Sequence, residues 1–269
     1  VLRATVNILK AAFPQMPTAQ IAIFGMTKSQ MNQLSTLGQR IFLQPMNRVI
    51  VAAGDADHKP ATIFSGNINN AWIDFNAMPD VAFRVDAFTG LAQSVIPQDP
   101  TSVDGTADVV TILTSLANAG NMTFENNGVS GIQVKTLYEY GDIRTQIMRI
   151  CGQVANQMGC LIDDGNAASD TLAIWPLPDG FRKTGQVPII APPPEGSMIG
   201  YPSFLPNAVS LRTQFNPNIG IAKQIQVKSS ILANGNPTTW VTYGIDHALD
   251  TMFPHGKWET TIQAFDPKT

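Results

Sequence analysis

The feature that most constrains the fold is the alternation of apolar and polar residues in short segments. In residues 81–88 the odd positions are apolar, while Arg84 and Asp86 occupy the other face, which is typical of a half-buried strand. Residues 221–232 alternate in the same way. Further strands are predicted at residues 5–8, 21–24, 48–52, 62–64, 71–75, 160–162, 171–175, 238–247 and 257–265. The chain is therefore expected to be mainly β.

Turn-forming and helix-breaking residues divide these segments. Residues 65–67, Ser-Gly-Asn, predict a turn between two of the strands. The serine and asparagine content of residues 28–37 favours irregular structure there. Residues 97–100, Pro-Gln-Asp-Pro, predict a break in regular structure and a domain boundary.

Two amphipathic helices are predicted in the middle of the chain. Thr106 or Asp108 can cap the first helix, and Gly120 stands where a glycine commonly ends one. The second helix is predicted at residues 143–158, with Gly159 at its end. The two helices indicate an α+β unit inside an otherwise β chain.

Two hairpins complete this α+β unit. Residues 126–128, Asn-Asn-Gly, are a strong hairpin signal between segments 122–125 and 132–134. A second hairpin is predicted to turn at residues 163–166, Asp-Asp-Gly-Asn. The same four residues resemble part of a calcium-binding loop, but the remaining ligands and the terminal glutamate are missing.

The predicted architecture is a β domain at residues 1–98, an α+β insertion at residues 99–180 and a second β domain at residues 181–269. Pro176, Pro178 and the triple proline at residues 192–194 mark the exit from the insertion. No short repeat is visible, although the two β domains could be a duplication that has lost its sequence identity.

Composition bounds the possible functions. The chain has 269 residues and a net charge of −3, and only 14% of its residues are charged, against about 25% in ordinary soluble domains. This composition fits either a permanent assembly or a polar, uncharged surface rich in Asn, Gln, Ser and Thr. A pI of about 5.5 argues against a broad basic face for nucleic acid. No apolar run approaches the length of a membrane span, so stable membrane binding is not expected.

Metal and cofactor sites are not expected from the sequence. Cys151 and Cys160 are predicted to be buried free thiols, because free cysteine packs like a small apolar residue. Asp246, His247 and His255 could bind a metal only if their loop folded back, so turn or surface histidines are favoured. The third histidine, at position 58, is far away in sequence.

Candidate catalytic and glycan-binding residues are scattered along the sequence. Serine-hydrolase, zinc-protease and phosphate-loop motifs are absent from the sequence. A glycosidase needs only two acids, and its candidates would be Glu125, Glu139 and Asp142. The tryptophans could suggest a carbohydrate platform, but their dispersed, alternating positions fit a core or a subunit interface better. They are Trp72, Trp175, Trp240 and Trp258.

The order of several motifs resembles the baseplate hub family of bacteriophage tails. The first β domain carries "RVIVAAGD" (48–55), "IFSGNI" (63–68) and "PDVAFRVDAF" (79–88). The insertion carries "DVVTILTSLANAGNMTFENNGV" (108–129) and "QIMRICGQVANQMGCLIDDG" (146–165). The closing motif is "GIDHALDTMFPHGKWETTIQA" (244–264). Each motif is weak alone, and residues 181–220 match least.

The resemblance implies a structural virion protein of the phage tail baseplate, without catalytic residues, cofactors or metals. Its two β domains would be tube-like β-barrel domains, and three subunits would form a homotrimeric ring. Such a ring adapts the sixfold tail tube to the threefold central spike. The implied partners are the tail spike protein, the tail tube or adjacent tail proteins, and the tape measure protein, with genomic DNA only in transit through the channel.

Three other functions remain open at this point. A tail-tip peptidoglycan hydrolase or peptidase would need a clustered acid pair, and no lysozyme-like segment is recognisable. A glycan-binding module would need aromatic side chains grouped on one face. Another tail tube or distal tail protein is a close structural alternative, against which the two-helix insertion argues.

Overall fold

The computed structural model describes residues 2–36, 47–54, 59–76, 78–164, 169–178, 180–183, 185–232 and 236–267. In this part of the chain strands far outnumber helices, so the prediction of a mainly β fold is confirmed. None of the helices described is both long and apolar enough to cross a membrane.

The first half of a large sheet is built from the N-terminal strands. These are β1 (Arg3–Ala11), β2 (Thr18–Phe24), β3 (Arg48–Ala53), β4 (Ala61–Asp74) and β5 (Ala82–Phe88). They lie in the order β1-β2-β5-β4-β3, and neighbouring strands are antiparallel. A short helix, α1 (Lys28–Leu34), follows β2 and contacts β4.

The α+β unit follows β5 along the chain. Its elements are α2 (Leu91–Val95), β6 (Pro97–Asp108), α3 (Val109–Ala119), β7 (Thr123–Asn126), β8 (Gln133–Asp142), α4 (Ile143–Gln153), β9 (Met158–Asp163) and β10 (Thr171–Pro176). β6 pairs with β8, and a second small sheet has the order β7-β10-β9. The apolar stripes of α3 and α4 pack on both sheets to form a separate core, which stabilises the unit by removing apolar area from water.

The C-terminal strands form the second half of the large sheet. They are β11 (Ile189–Ile190), β12 (Met198–Leu205), β13 (Ala208–Gln214), β14 (Gln224–Val227), β15 (Thr238–Thr251) and β16 (Trp258–Phe265). Their order is β12-β13-β16-β15, with β14 and β11 attached beside the start of β15. The predicted pair of final strands is confirmed as β15 and β16.

The two halves of the large sheet have the same strand order. The first half runs β1-β2-β5-β4-β3 and the second runs β12-β13-β16-β15-β14. The fourth strand of each half is 14 residues long and is bulged where it pairs with the last strand of that half, between Ile68 and Asn70 in β4 and between Thr242 and Gly244 in β15. β4 has a further irregularity at Ile63, where it pairs with β3. The halves are joined by antiparallel pairing of β1 with β15. Because one sheet crosses both outer units, the division at residues 98 and 180 stays a prediction.

The turn predicted at residues 65–67 is wrong, because these residues lie inside the continuous strand β4. A Cβ atom on Gly66 would come within 2.7 Å of the backbone oxygen of Phe88 and 2.8 Å of the Phe64 ring. The glycine therefore marks a close approach of β4 to its neighbours rather than a reversal of the chain.

Residues 28–34 form α1, so the prediction of irregular structure there is wrong. Thr27 and Gln30 form a capping box: the Thr27 hydroxyl accepts from the Gln30 N–H, and the Gln30 side chain accepts from the Thr27 N–H. Met31 fixes the helix by burying its side chain. Local capping and one apolar anchor outweigh the weak helix propensity of serine and asparagine. Ser35 and Thr36 follow the helix without regular structure, and residue 37 lies outside the described residues.

The break predicted at residues 97–100 is confirmed only in part: β6 begins at Pro97, but its pairing with β8 skips Asp99 and Pro100. The prolines are tolerated because β6 is an edge strand of a two-stranded sheet. The first amphipathic helix is confirmed as α3, and Asp108 rather than Thr106 caps it by accepting from the Thr111 N–H. Gly120 follows as the C-cap.

The turn at residues 126–128 is present, but it does not connect a hairpin. β7 pairs in parallel with β10, whereas β8 pairs with β6 in the other small sheet. The Asn127 side chain donates to the Ile174 carbonyl, which draws the turn towards β10. The second predicted hairpin is confirmed by the antiparallel pairing of β9 with β10, although residues 165–168 lie outside the described part.

Two predicted elements are shorter than expected. α4 ends at Gln153, and Met158 and Gly159 begin β9 instead of ending the helix. The strand predicted at residues 221–232 is confined to β14, at Gln224–Val227. Met158 and Gly159 pair with Pro176 and Trp175 of β10, and β14 pairs with β15 only over Thr238 to Val241.

Candidate assembly surface

The three acids considered for glycoside hydrolysis have separate structural roles. Glu125 on β7 accepts two hydrogen bonds from Arg182, at 3.1 and 2.9 Å. Burial raises the pKa of Glu125, but these guanidinium contacts outweigh it and lower the pKa. Glu139 lies 3.5 Å from Arg149, and Asp142 caps α4. Glu125 belongs to a different sheet from the other two, so the structure provides no converging acid pair at these positions.

The histidines do not converge either. His247 is buried in β15, where its Nδ1 lies 2.9 Å from the Thr260 hydroxyl and its ring meets Phe215 edge to face. Burial lowers the pKa of His247 to about 3. The prediction of a turn or surface histidine is therefore wrong for His247. Its side chain is buried on one face of β15, whereas the neighbouring Asp246 is exposed on the opposite face. His255 lies in the turn after β15, and the histidine at position 58 is outside the described residues.

Both cysteines are buried free thiols, as predicted. The hydrogen-bond contact with Cys160, together with burial, raises the pKa of Cys151 well above its ordinary value. Within the described ranges no three His, Cys, Asp or Glu side chains form a group that could hold a metal ion.

A buried network of charges lies where the α+β unit meets the large sheet. Lys10 of β1 contacts Asp164 at 2.6 Å, and Arg182 contacts Asp163 at 2.6 Å and Glu125 at 2.9 Å. Burial raises the pKa of Asp163, but the nearby Lys10 and Arg182 outweigh it and hold this pKa well below the usual range. The network therefore fixes the small sheet against β1 by paired charges.

A second buried pair attaches the same unit to the first half of the large sheet. Arg48 of β3 contacts Asp170 at 2.5 Å, and the other oxygen of Asp170 accepts from the Gly90 N–H at 3.1 Å. Arg48 also donates to the Ser65 hydroxyl at 2.8 Å. The α+β unit is thus held to the first half of the large sheet by two sets of polar contacts, one through β1 and one through β3.

These residues were not predicted from the sequence, although the sequence carries one signal for them. Val6, Ile8 and Lys10 alternate on one side of β1, so a lysine occupies a position of the apolar face. Such a lysine needs a buried acid as its partner. The partner Asp164 is 154 positions away in sequence, which no local pattern could indicate.

The outer face of the large sheet is polar, continuous and weakly acidic. Strand register places uncharged polar side chains along its centre, including Thr5, Asn7, Gln20, Thr261 and Gln263. The charged side chains on this face are Asp74, Asp86, Asp246, Asp250 and Glu259 against Arg3, Arg84 and Arg212. Two open depressions of about 390 and 370 Å³ lie on either side of β1. A face of this kind can contact solvent or a passing polymer without binding an anion tightly.

The tryptophans are dispersed. Trp240 is buried in the second-half core, and Trp175 packs against the same core. Trp258 begins β16 and meets Phe215 edge to face at 5.5 Å. Trp72 pairs with Arg84 on the polar outer face. They therefore do not form the grouped aromatic platform that a glycan-binding site needs.

The edge strand β12 is unusually apolar for an exposed edge. Tyr201, Phe204 and Leu205 all expose large fractions of their side chains there. At the opposite end of the sheet, Phe75 after β4 and Ile50 on β3 are also exposed. Exposed apolar edges are sites of strand addition unless another chain covers them.

No protein-family model and no curated protein sequence matches the chain. Solved structures do match over nearly its whole length. A tail protein from Neisseria meningitidis has a TM-score of 0.64 and 7% identity, covering 98% of this chain and 96% of its own. A component of the E. coli type VI secretion system, described as structurally similar to the T4 tail proteins gp27 and gp5, has a TM-score of 0.66 and 9% identity, covering 99% and 74%.

A third similar structure is the 43 kDa tail protein of prophage MuSo2 from Shewanella oneidensis. Its TM-score is 0.60 at 9% identity, covering 99% of this chain and 93% of its own. At these identities the likeness establishes the fold alone. The chain has the fold shared by phage tail proteins and the gp27-like component of type VI secretion, in agreement with the resemblance that the sequence motifs carry.

Proposed function

We propose that the chain is a structural subunit of a phage tail baseplate, a hub that works by assembling and not by catalysis. The observation that carries this proposal is the repeated strand order of the two halves of the large sheet. Three copies of a chain with two similar halves provide six similar sheets. Such a ring meets a sixfold tube on one side and a threefold spike on the other with closed interfaces.

The polar outer face of the sheet would line the channel of this ring. Its acidic side chains outnumber its basic ones, so phosphate groups would not be held on it. This suits a channel that holds the tape measure protein and later passes DNA. The spike, the tail tube or adjacent tail proteins would bind at the two rims.

Light scattering at several concentrations tests the assembly. We expect a concentration-dependent approach to three times the chain mass of 29.0 kDa, and rings with six similar sheets in electron-microscope averages. A mass that stays at one chain at every concentration would contradict the proposal.

The match to a type VI secretion component supports a second candidate, a hub in a contractile secretion machine. Mass spectrometry of purified phage particles distinguishes the two. A tail hub is expected in the particles at half the copy number of a protein that forms a single sixfold ring, whereas a secretion hub would be absent from the particles.

A further inference from the structure

We infer that, in the ring, the edge strand β12 of one copy pairs antiparallel with the second half of β4 in the next copy, with Phe204 opposite Ile73. This inference rests on the proposed ring. It is specific to two strand edges and one register, so it can fail while the ring survives.

The register follows from aligning the two halves residue by residue. Phe265 pairs with Val241 across β16 and β15 just as Phe88 pairs with Asn67 across β5 and β4. Both pairs lie just before the bulge on the longer strand. Counting on from the bulge, Ile73 of β4 occupies the position that His247 occupies in β15.

The first strands of the halves align in the same way. Phe204 of β12 pairs with Val209 of β13, as Ile8 of β1 pairs with Ala19 of β2. In each half the neighbouring pair is one residue further on, Leu205 with Ala208 and Leu9 with Thr18. Phe204 is therefore the counterpart of Ile8.

The junction inside the chain then supplies a template for a junction between chains. Ile8 lies opposite His247 where β1 joins β15. When the register of β1 with β15 is applied to the free edges of β12 and β4, Phe204 lies opposite Ile73, Ser203 opposite Asp74, and Leu205 opposite Trp72.

The exposure of the free edges supports this transfer. Ile8 is 0% exposed and Leu249 is 2% exposed at the junction inside the chain. Their counterparts are Phe204, 57% exposed, and Phe75, 50% exposed. Large apolar side chains thus occupy both free edges at positions that the internal junction buries, which indicates that a second copy of the chain covers them.

The backbone of β4 is available over a matching length. β3 pairs with β4 only as far as Asn67, so the same side of the later residues has no strand partner among those described. At Ala71 this side is closed, because Thr36 hydrogen-bonds to both the N–H and the carbonyl of Ala71. The residue that would face Ala71 is Pro206, which has no N–H to donate. The pairing between the two chains therefore ends at Ala71 and Pro206, because Ala71 already has its backbone hydrogen bonds and Pro206 has no N–H to donate.

Disulfide formation between copies tests the register. Because Phe204 and Ile73 would share backbone hydrogen bonds, Ser203 and Asp74 would form a non-hydrogen-bonded pair with Cα atoms about 4.5 Å apart. That separation lies within the roughly 4.4–6.8 Å that disulfides require. We expect Ser203→Cys with Asp74→Cys to give covalent dimers and trimers on non-reducing gels after mild oxidation.

The matched control moves one cysteine by a single residue. In Ser203→Cys with Phe75→Cys the two side chains would point to opposite faces of the sheet, so little cross-linking is expected. Each single-cysteine variant controls for pairing of identical positions, and the parent chain controls for Cys151 and Cys160, which are buried.

The mass of each variant before oxidation separates the possible failures. A trimer whose double variant does not cross-link, or cross-links equally well in the shifted control, overturns this register and leaves the ring intact. A chain that is monomeric at every concentration and does not cross-link overturns both the register and the ring. Loss of thiols without a change in mass would show the edges closing within one chain, which also overturns the pairing.

Discussion

Adjacent carboxylates at the end of β9 show how single residues hold this molecule together. Asp163 and Asp164 lie at the end of an apolar strand, and each contacts a cation: Asp163 contacts Arg182, 19 positions away, and Asp164 contacts Lys10, 154 positions away. Burying a charge is costly unless a partner compensates for it. The contribution of these residues therefore lies less in the net strength of each pair than in the penalty for leaving one member alone.

Arg182→Met tests this reasoning. We expect the free energy of unfolding to fall by about 3–5 kcal/mol, because the buried Asp163 and its neighbour Glu125 both lose the guanidinium that they contact. The measurement is urea denaturation at neutral pH. The control is Arg84→Met, which removes a more exposed pair with Asp74 and should lower stability far less, because solvent screens an exposed ion pair. Equal losses of unfolding free energy in the two variants would show that burial of the charge network does not add to its effect on stability.

His247 is expected to make the stability of the folded chain depend on pH. Its pKa is lowered to about 3 in the folded chain from 6.5, so below pH 6.5 the unfolded chain binds the additional proton. Stability is therefore expected to fall as the pH drops from 6.5 towards 3. In His247→Gln, which keeps a polar contact for Thr260, this fall should be shallower when unfolding is measured at several pH values. A slope identical to that of the parent chain would contradict the assignment.

At the scale of elements, a glycine and a proline that would usually interrupt a strand lie inside one strand and at the start of another. Gly66 lies inside β4 because the neighbouring strand leaves no room for a Cβ atom. Pro97 begins β6 because an edge strand has backbone positions that need no N–H. In both places the local signal is real, but its meaning depends on which other strand lies alongside.

Trp258 is the element-scale residue with the clearest consequence. It begins β16, lies opposite Leu249 and packs against Phe215. Trp258→Ala should lower the free energy of unfolding by about 3 kcal/mol, as large-to-small changes of aromatic residues do, and should weaken assembly. Melting temperature and light scattering measure the two effects. Trp258→Phe, which keeps an aromatic ring, is the control, and an alanine variant with unchanged melting and mass would refute the prediction.

At the scale of the whole molecule, the repeated strand order and the low charge both suit the proposed ring. In such a ring the sheet would continue into neighbouring copies, so its edges would need few charges, and only 14% of the residues are charged. The polar outer face would remain in contact with solvent, and the apolar edges would not.

The sequence by itself determined the mainly β class, the helix α3, the hairpin of β9 and β10, and the final pair β15 and β16. Each of these depends on residues close together in the chain, where alternation, capping and turn chemistry act directly. The tertiary structure alone decided that β7 pairs with β10, that β1 joins β15 and that Lys10 meets Asp164. These contacts connect residues up to 247 positions apart, and many partners satisfy the same local pattern, so only the packing of the whole chain selects among them.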